Sequence, residues 1–188
     1  FSNASTGIVT ATAGTFKLSG GGSSSGTVAL GSGAELQIGG ADFAISGGSI
    51  TGSSGKLKLL GNTTTFSGTT SGDAEFAVAG GTAAFSGTHN GSGKLSLSSG
   101  TVTSSGTGAA TFSALDWSGG DLNGKVTATG SAASVSGGAK SIGTSGDLTV
   151  AGTATGAASA WTGAVSNSGK LTHASGATDI QSSFSNAS

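Results

Sequence analysis

The chain contains no Cys, Pro, Met, Tyr or Arg. Without Cys it has no thiol nucleophile and no thiolate ligand for zinc. Without Arg, and with a formal net charge of −1, it has no basic patch to meet nucleic acid or an anionic membrane. No stretch approaches the roughly 18 consecutive apolar residues of a membrane-spanning helix. Leu, Ile, Val and Phe together make up only about 18% of the residues, too few for a conventional globular core. Such poverty also raises the prospect of disorder, but disorder normally accompanies high net charge and unordered apolar spacing, and this chain has neither. The chain starts at Phe1 rather than Met and shows no leader peptide. It is read as a piece of a longer protein, so a missing leader says nothing about export.

Thirty-eight of the 188 residues are Gly, and Ser, Thr and Ala supply most of the rest. Within this background two phrases recur. The first is an apolar residue followed by Ser/Thr-Gly, at Leu18, Ile45, Phe66, Phe85, Trp117, Val135 and Trp161, with a degenerate copy at Val102. The second is Gly, one polar or small residue, then alternating apolar positions. It includes GTVAL from Gly26, GKLKL from Gly55, GKLSL from Gly93 and GDLTV from Gly146. Both phrases give a mean period of about 20 residues, with single steps from about 15 to 29.

Alternation at period two marks a strand with one buried face. It predicts Leu57, Leu59, Phe76, Val78, Leu95, Leu97, Leu148 and Val150 inward. Lys56, Lys58, Lys94, Ser96, Asp147 and Thr149 are then outward. No α-helix is expected, because Gly inside a helix costs about 1 kcal/mol at each occurrence. A 20-residue repeat is too short for a domain but fits one coil of a β-solenoid. The expected fold is all-β: a right-handed parallel β-solenoid (β-helix) of about nine irregular coils over residues 1–188, roughly 43 Å long at the spacing of paired strands. The absence of Pro fits, since every interior strand must donate its N–H groups to a neighbouring coil. A barrel or sandwich would show repeated hairpin signals, and Asn90-Gly91 and Asn123-Gly124 are isolated.

Phe1–Ser5 and Phe184–Ser188 both read FSNAS, 183 residues apart. The chain is therefore expected to be one tile of about 183 residues in a longer tandem array, its strand edges covered by the next unit. Such edges otherwise need caps. The phrases AGTFKLSGG, GSGAELQIGG, GTGAATFSALDWSGGDLNGKVTATG and WTGAVSNSGKLTHASGATDI resemble the Gly/Ser/Thr-rich tandem repeats of giant bacterial surface proteins. The familiar relatives are filamentous-haemagglutinin-like and autotransporter-passenger adhesins. The resemblance implies secretion, surface display, a β-helical rod, and roles in adhesion, matrix or filament formation. The chain departs from those families in carrying no recognisable secretion domain or receptor-binding insertion.

Candidate chemistry is sparse. His89 and His173 lie about four coils apart and are read as surface residues. Asp116, Asp121 and Asp147 lack the spacing of a calcium loop and are read as solvated carboxylates. Gly-rich runs such as Ser19–Gly26 lack the Lys-Ser/Thr of a phosphate cradle. T-x-T pairs begin at Thr10, Thr63, Thr101, Thr127 and Thr153, but their spacings of 53, 38, 26 and 26 do not make the regular ladder of an ice-binding face. Trp117 and Trp161 are expected to anchor the core rather than stack on sugars. Asn3, Asn62, Asn90 and Asn186 sit in N-x-S/T contexts that matter only in a glycosylating producer. No catalytic, cofactor-binding or metal-binding residue is assigned. The expectation is a non-enzymatic, extracellular structural module that stacks on neighbouring units. The alternative is a module binding carbohydrate or a host surface through an outer face.

Overall fold

The computed structural model describes residues 1–136 and 140–150 continuously, together with the strands Ser159–Trp161, Val165–Asn167, Lys170–His173, Thr178–Ile180 and Phe184–Asn186. The described elements are all strands, and every pairing between them is parallel. The chain is a parallel β-solenoid.

Each coil contributes one strand to each of three walls. The first coil does so with Ser2–Asn3, Ile8–Ala11 and Thr15–Leu18. The second follows with Gly22–Ser24, Thr27–Leu30 and Glu35–Ile38, and the third with Phe43–Ile45, Ile50–Thr51 and Lys56–Leu59. Further along, the long strands Glu75–Phe85, Lys94–Ser104, Ala109–Trp117 and Lys125–Val135 each bend from one wall into another. The continuously described residues hold about seven turns, a slightly different count from the nine expected over the whole chain. Steps between paired residues run from 16 (Phe112 to Ala128) to 26 (Val135 to Trp161). Corners absorb this variation.

The core is a thin stack in which every layer repeats the one below. On the third wall, Leu36, Leu57, Phe76, Leu95 and Leu115 follow one another in register, as do Ile38, Leu59, Val78, Leu97, Trp117 and Val135. All are buried. The eight residues that alternation placed inward are all buried, and their six outward neighbours are part-exposed. Burying each such side chain contributes about 1.5–3 kcal/mol, and here most of that burial comes from the adjacent coils.

The apolar-Ser-Gly phrase is where a coil leaves a wall. Its apolar residue fills the core, and its Ser extends the ladder by one more bond. The N–H groups of Ser46, Ser67, Ser86 and Ser118 donate to the carbonyls of Ser24, Ile45, Phe66 and Leu97 at 2.8–2.9 Å. A second corner shows why Gly is so frequent. Asn62, Gly81, Gly100 and Gly120 occupy one position in four successive coils, one residue ahead of the paired Thr63, Thr82, Thr101 and Asp121. All four have positive φ, from 55° to 83°. A Cβ on Gly81, Gly100 or Gly120 would meet a backbone carbonyl oxygen of the preceding coil at 2.3–2.5 Å. Coils at one ladder spacing leave no room for a side chain there.

Candidate functional surfaces

Outward residues form columns of their own, and three of these are distinctive. On the third wall Glu35, Lys56, Glu75 and Lys94 occupy one position in four consecutive coils. Lys56 Nζ lies 3.4 Å from Glu75 Oε1 and Lys94 Nζ lies 3.9 Å from the same oxygen. The neighbouring column adds Lys58, 3.9 Å from Glu35, and Asp116, whose Oδ2 is 3.6 Å from Lys94 Nζ. Ser96 Oγ also donates to Glu75 Oε1 at 2.8 Å. The network neutralises itself, and being part-exposed each pair contributes about 0–1 kcal/mol. Asp116 is thus one end of a charge column.

The second wall carries hydroxyls and an amide: Thr27, Ser49, Ser71, Asn90, Thr111, Thr127, Thr149 and Thr172 follow one another in register. Thr27 Oγ1 and Ser49 Oγ are 3.3 Å apart. Beside this column runs a shallow depression lined by Thr51, Gly52, Ser71, Asp73, Asn90 and Thr111, among others. Asp73 Oδ1 accepts the Gly52 N–H at 2.6 Å, which ties the carboxylate to the backbone. Next to the hydroxyl column, Lys125, Asp147 and Lys170 alternate in charge. On the first wall Thr63, Thr82, Thr101, Asp121 and Ser141 form the third column, and Ser141 Oγ donates to Asp121 Oδ1. Asp116, Asp121 and Asp147 therefore belong to three different walls. The T-x-T pairs also divide between walls: Thr63/Thr65 and Thr101/Thr103 on the first, Thr10 and Thr127 on the second. No single Thr-x-Thr array results. Thr153 and Thr155 lie outside the described residues.

His89 is not a surface residue, contrary to the sequence reading. It is 4% exposed and sits in the core of the second wall, between Thr70 and Ala110 in its column. Its ring lies 5.0 Å from that of Phe112, 5.7 Å from Phe76 and 6.0 Å from Phe85. Nδ1 is 2.9 Å from Thr70 Oγ1. Burial pushes its pKa down from 6.5 to about 4. The signal was present: FSGTT from Phe66 and FSGTH from Phe85 align, placing His89 on the inward Thr70 position. Among the described residues no three of His, Asp and Glu converge on a point that could hold a metal ion. His173 pairs with Val150 in backbone register, and its side chain lies outside the described residues.

No protein-family model, curated protein or solved structure matches the chain. Its surfaces have to be read from their own chemistry.

Trp117 is fully buried, and its indole N–H donates to the Gly120 carbonyl at 3.2 Å. It is a core anchor. Trp161 stands two steps further along the same column, and its side chain lies outside the described residues. Asn62 and Asn90 are exposed. Asn3 is buried, its amide donating to Ser24 Oγ at 3.1 Å and to the Thr27 carbonyl at 3.3 Å. Asn186 also lies outside the described side chains. The first coil is the remaining surface of note. Phe1 is 45% exposed and Phe16 38%, although their column neighbours Phe43 and Leu36 are buried. The inward Val9 is half-buried, while Val28 above it is buried.

Proposed function

We propose that the chain is a non-enzymatic structural module of an extracellular bacterial fibre or surface stalk, whose coils stack end to end into a stiff rod. The observation that carries this reading is the in-register parallel stacking of coils over one continuous apolar core, an arrangement that a further coil of the same kind extends. Self-association of neighbouring units continues both the core and the ladder. Secretion and surface display follow from the resemblance to tandem-repeat surface proteins. Negative-stain electron microscopy of the purified chain at rising concentration tests the idea. Uniform rods that lengthen with concentration support it, and compact particles of fixed size would count decisively against it.

The second reading, a module that binds carbohydrate or a host surface, draws on the hydroxyl column and shallow depression of the second wall. Among the described residues no exposed aromatic ring lines that depression: Phe1 and Phe16 are exposed in the first coil outside it, and Phe43, Phe66, Phe76, Phe85, Phe112 and Trp117 face inward. A glycan array without hits removes this reading and leaves the first untouched.

A further inference from the structure

The two FSNAS segments stand on the same wall. Ser2–Asn3 pairs with Ser23–Ser24 at the start of the first wall, and Phe184–Asn186 pairs with Val165–Asn167 at its far end. On the second wall, eight register steps lead from Val9 through Val28, Ile50 and onward to His173. A residue 183 positions beyond Val9 would lie 19 residues past His173, the same step that separates Val9 from Val28. On the third wall, eight steps lead from Leu18 to Ile180. A residue 183 positions beyond Leu18 would lie 21 past Ile180, the step that separates Ile38 from Leu59. On the first wall, Phe184 is displaced by two positions from the column that begins at Phe1 and reaches Asn186. An even displacement keeps inward residues inward. The repeat distance therefore closes with a step already seen on the second and third walls, and on the first wall it keeps the inward–outward alternation with a two-residue displacement.

The geometry points to residues 1–5 and 184–188 being one structural element, so that a second copy continues the solenoid without a break. Phe1 of that copy pairs with Val165. Its strands Ile8–Ala11 and Thr15–Leu18 seat on Lys170–His173 and Thr178–Ile180. This covers Phe1, Val9 and Phe16, the apolar residues left open in the first coil. The inference rests on the rod reading above and adds the partner, a second copy of this chain, and the register of the joint.

The test is a two-unit chain, residues 1–183 followed directly by 1–188, in which the shared word occurs once at the joint. The absence of native Cys makes register readable by cross-linking. Thr172→Cys in the first unit and Ile8→Cys in the second occupy predicted Cα partners, within disulfide reach. Thr149→Cys with Thr172→Cys, paired within one unit, is the reference. Thr172→Cys with the second unit's Val9→Cys is one residue out of register. The expected result is a single straight rod of twice the one-unit length by electron microscopy. Cross-linking of the 172–8 pair should be as complete as the reference and several-fold faster than that of the 172–9 pair. Two short rods flexing about the joint, or equal rates for both pairs, would overturn the continuous joint while leaving the rod reading in place. If the two-unit chain is not elongated at all, the rod reading itself fails and takes this inference with it.

Discussion

The first coil and the middle coils are built from the same columns, yet they differ in how well they are buried. Phe16 and Phe76 belong to one column, and they are 38% and 2% exposed. The side chain and the strand are the same in kind; the difference is that Phe76 has a coil on each side and Phe16 has one. The middle also gathers rings. Phe66 stacks on Phe85 at 4.8 Å, Phe76 lies 5.0 Å from Phe66, and Phe112 and His89 close the group. Stability in this molecule thus belongs to the contacts between coils, as expected of a quasi-one-dimensional stack.

The widest separation between the two regions should come from glycine. Gly100→Val places a branched side chain at φ +82° with its Cβ about 2.4 Å from the Gly81 carbonyl oxygen. Backbone strain and clash together should cost about 5 kcal/mol or more, seen as loss of the folded circular-dichroism signal. Gly14→Ala, at φ +71° in the first coil with nothing within 4 Å of the new Cβ, should cost only about 1 kcal/mol. Next, Phe76→Ala should lower stability by about 3–5 kcal/mol in denaturant titration, and Phe16→Ala by no more than about 1. Equal losses would break the comparison.

His89 gives the middle coils a pH dependence. The fold holds it neutral down to about pH 4, whereas the unfolded chain protonates near 6.5. Between those values the unfolded state binds more protons, so stability is full above about pH 6.5 and declines as pH falls, levelling off below about pH 4. About 2 kcal/mol should be lost between pH 7 and pH 5, and His89→Leu should flatten that slope in parallel thermal melts. A smaller effect is expected at Thr64, whose hydroxyl is buried without a hydrogen-bond partner on the first wall. Thr64→Val should raise stability by about 1 kcal/mol. Smallest of all, Lys94→Ala should cost less than about 1 kcal/mol despite its two ion pairs, and 1 M salt should erase the difference.

Much of this architecture was legible in the sequence because period-two alternation and a 20-residue period are both local or nearly so. Leu57, Leu59, Leu95 and Leu97 could be placed inward from four-residue windows alone. The surface was harder, because its patterns exist only after the chain is wound. Glu35, Lys56, Glu75 and Lys94 look like isolated charges until steps of 21, 19 and 19 bring them together. The column of Thr63, Thr82 and Thr101 likewise escapes a search for T-x-T, which finds Thr63 and Thr101 but not Thr82, followed two residues on by Ala84. His89 was misplaced for a related reason. A polar residue between Gly-rich corners reads as a surface residue, and only alignment with the preceding coil shows that its position faces the core. An uncapped strand edge was expected at the first coil, but not which side chains it bares, since Phe1, Val9 and Phe16 look like ordinary core residues.

The alternating charges of the third wall also grade the ways in which the chain could wind wrongly. A coil that skipped its neighbour and paired with the next one along would set Glu35 against Glu75 and Lys56 against Lys94. Like charges directly opposite each other oppose strand pairing, whereas correct neighbours meet opposite signs. Alternation thus works as a parity check on winding. The omission of one coil is penalised at several positions at once, and opposite signs return only when two coils, about 40 residues at the mean period, are looped out together.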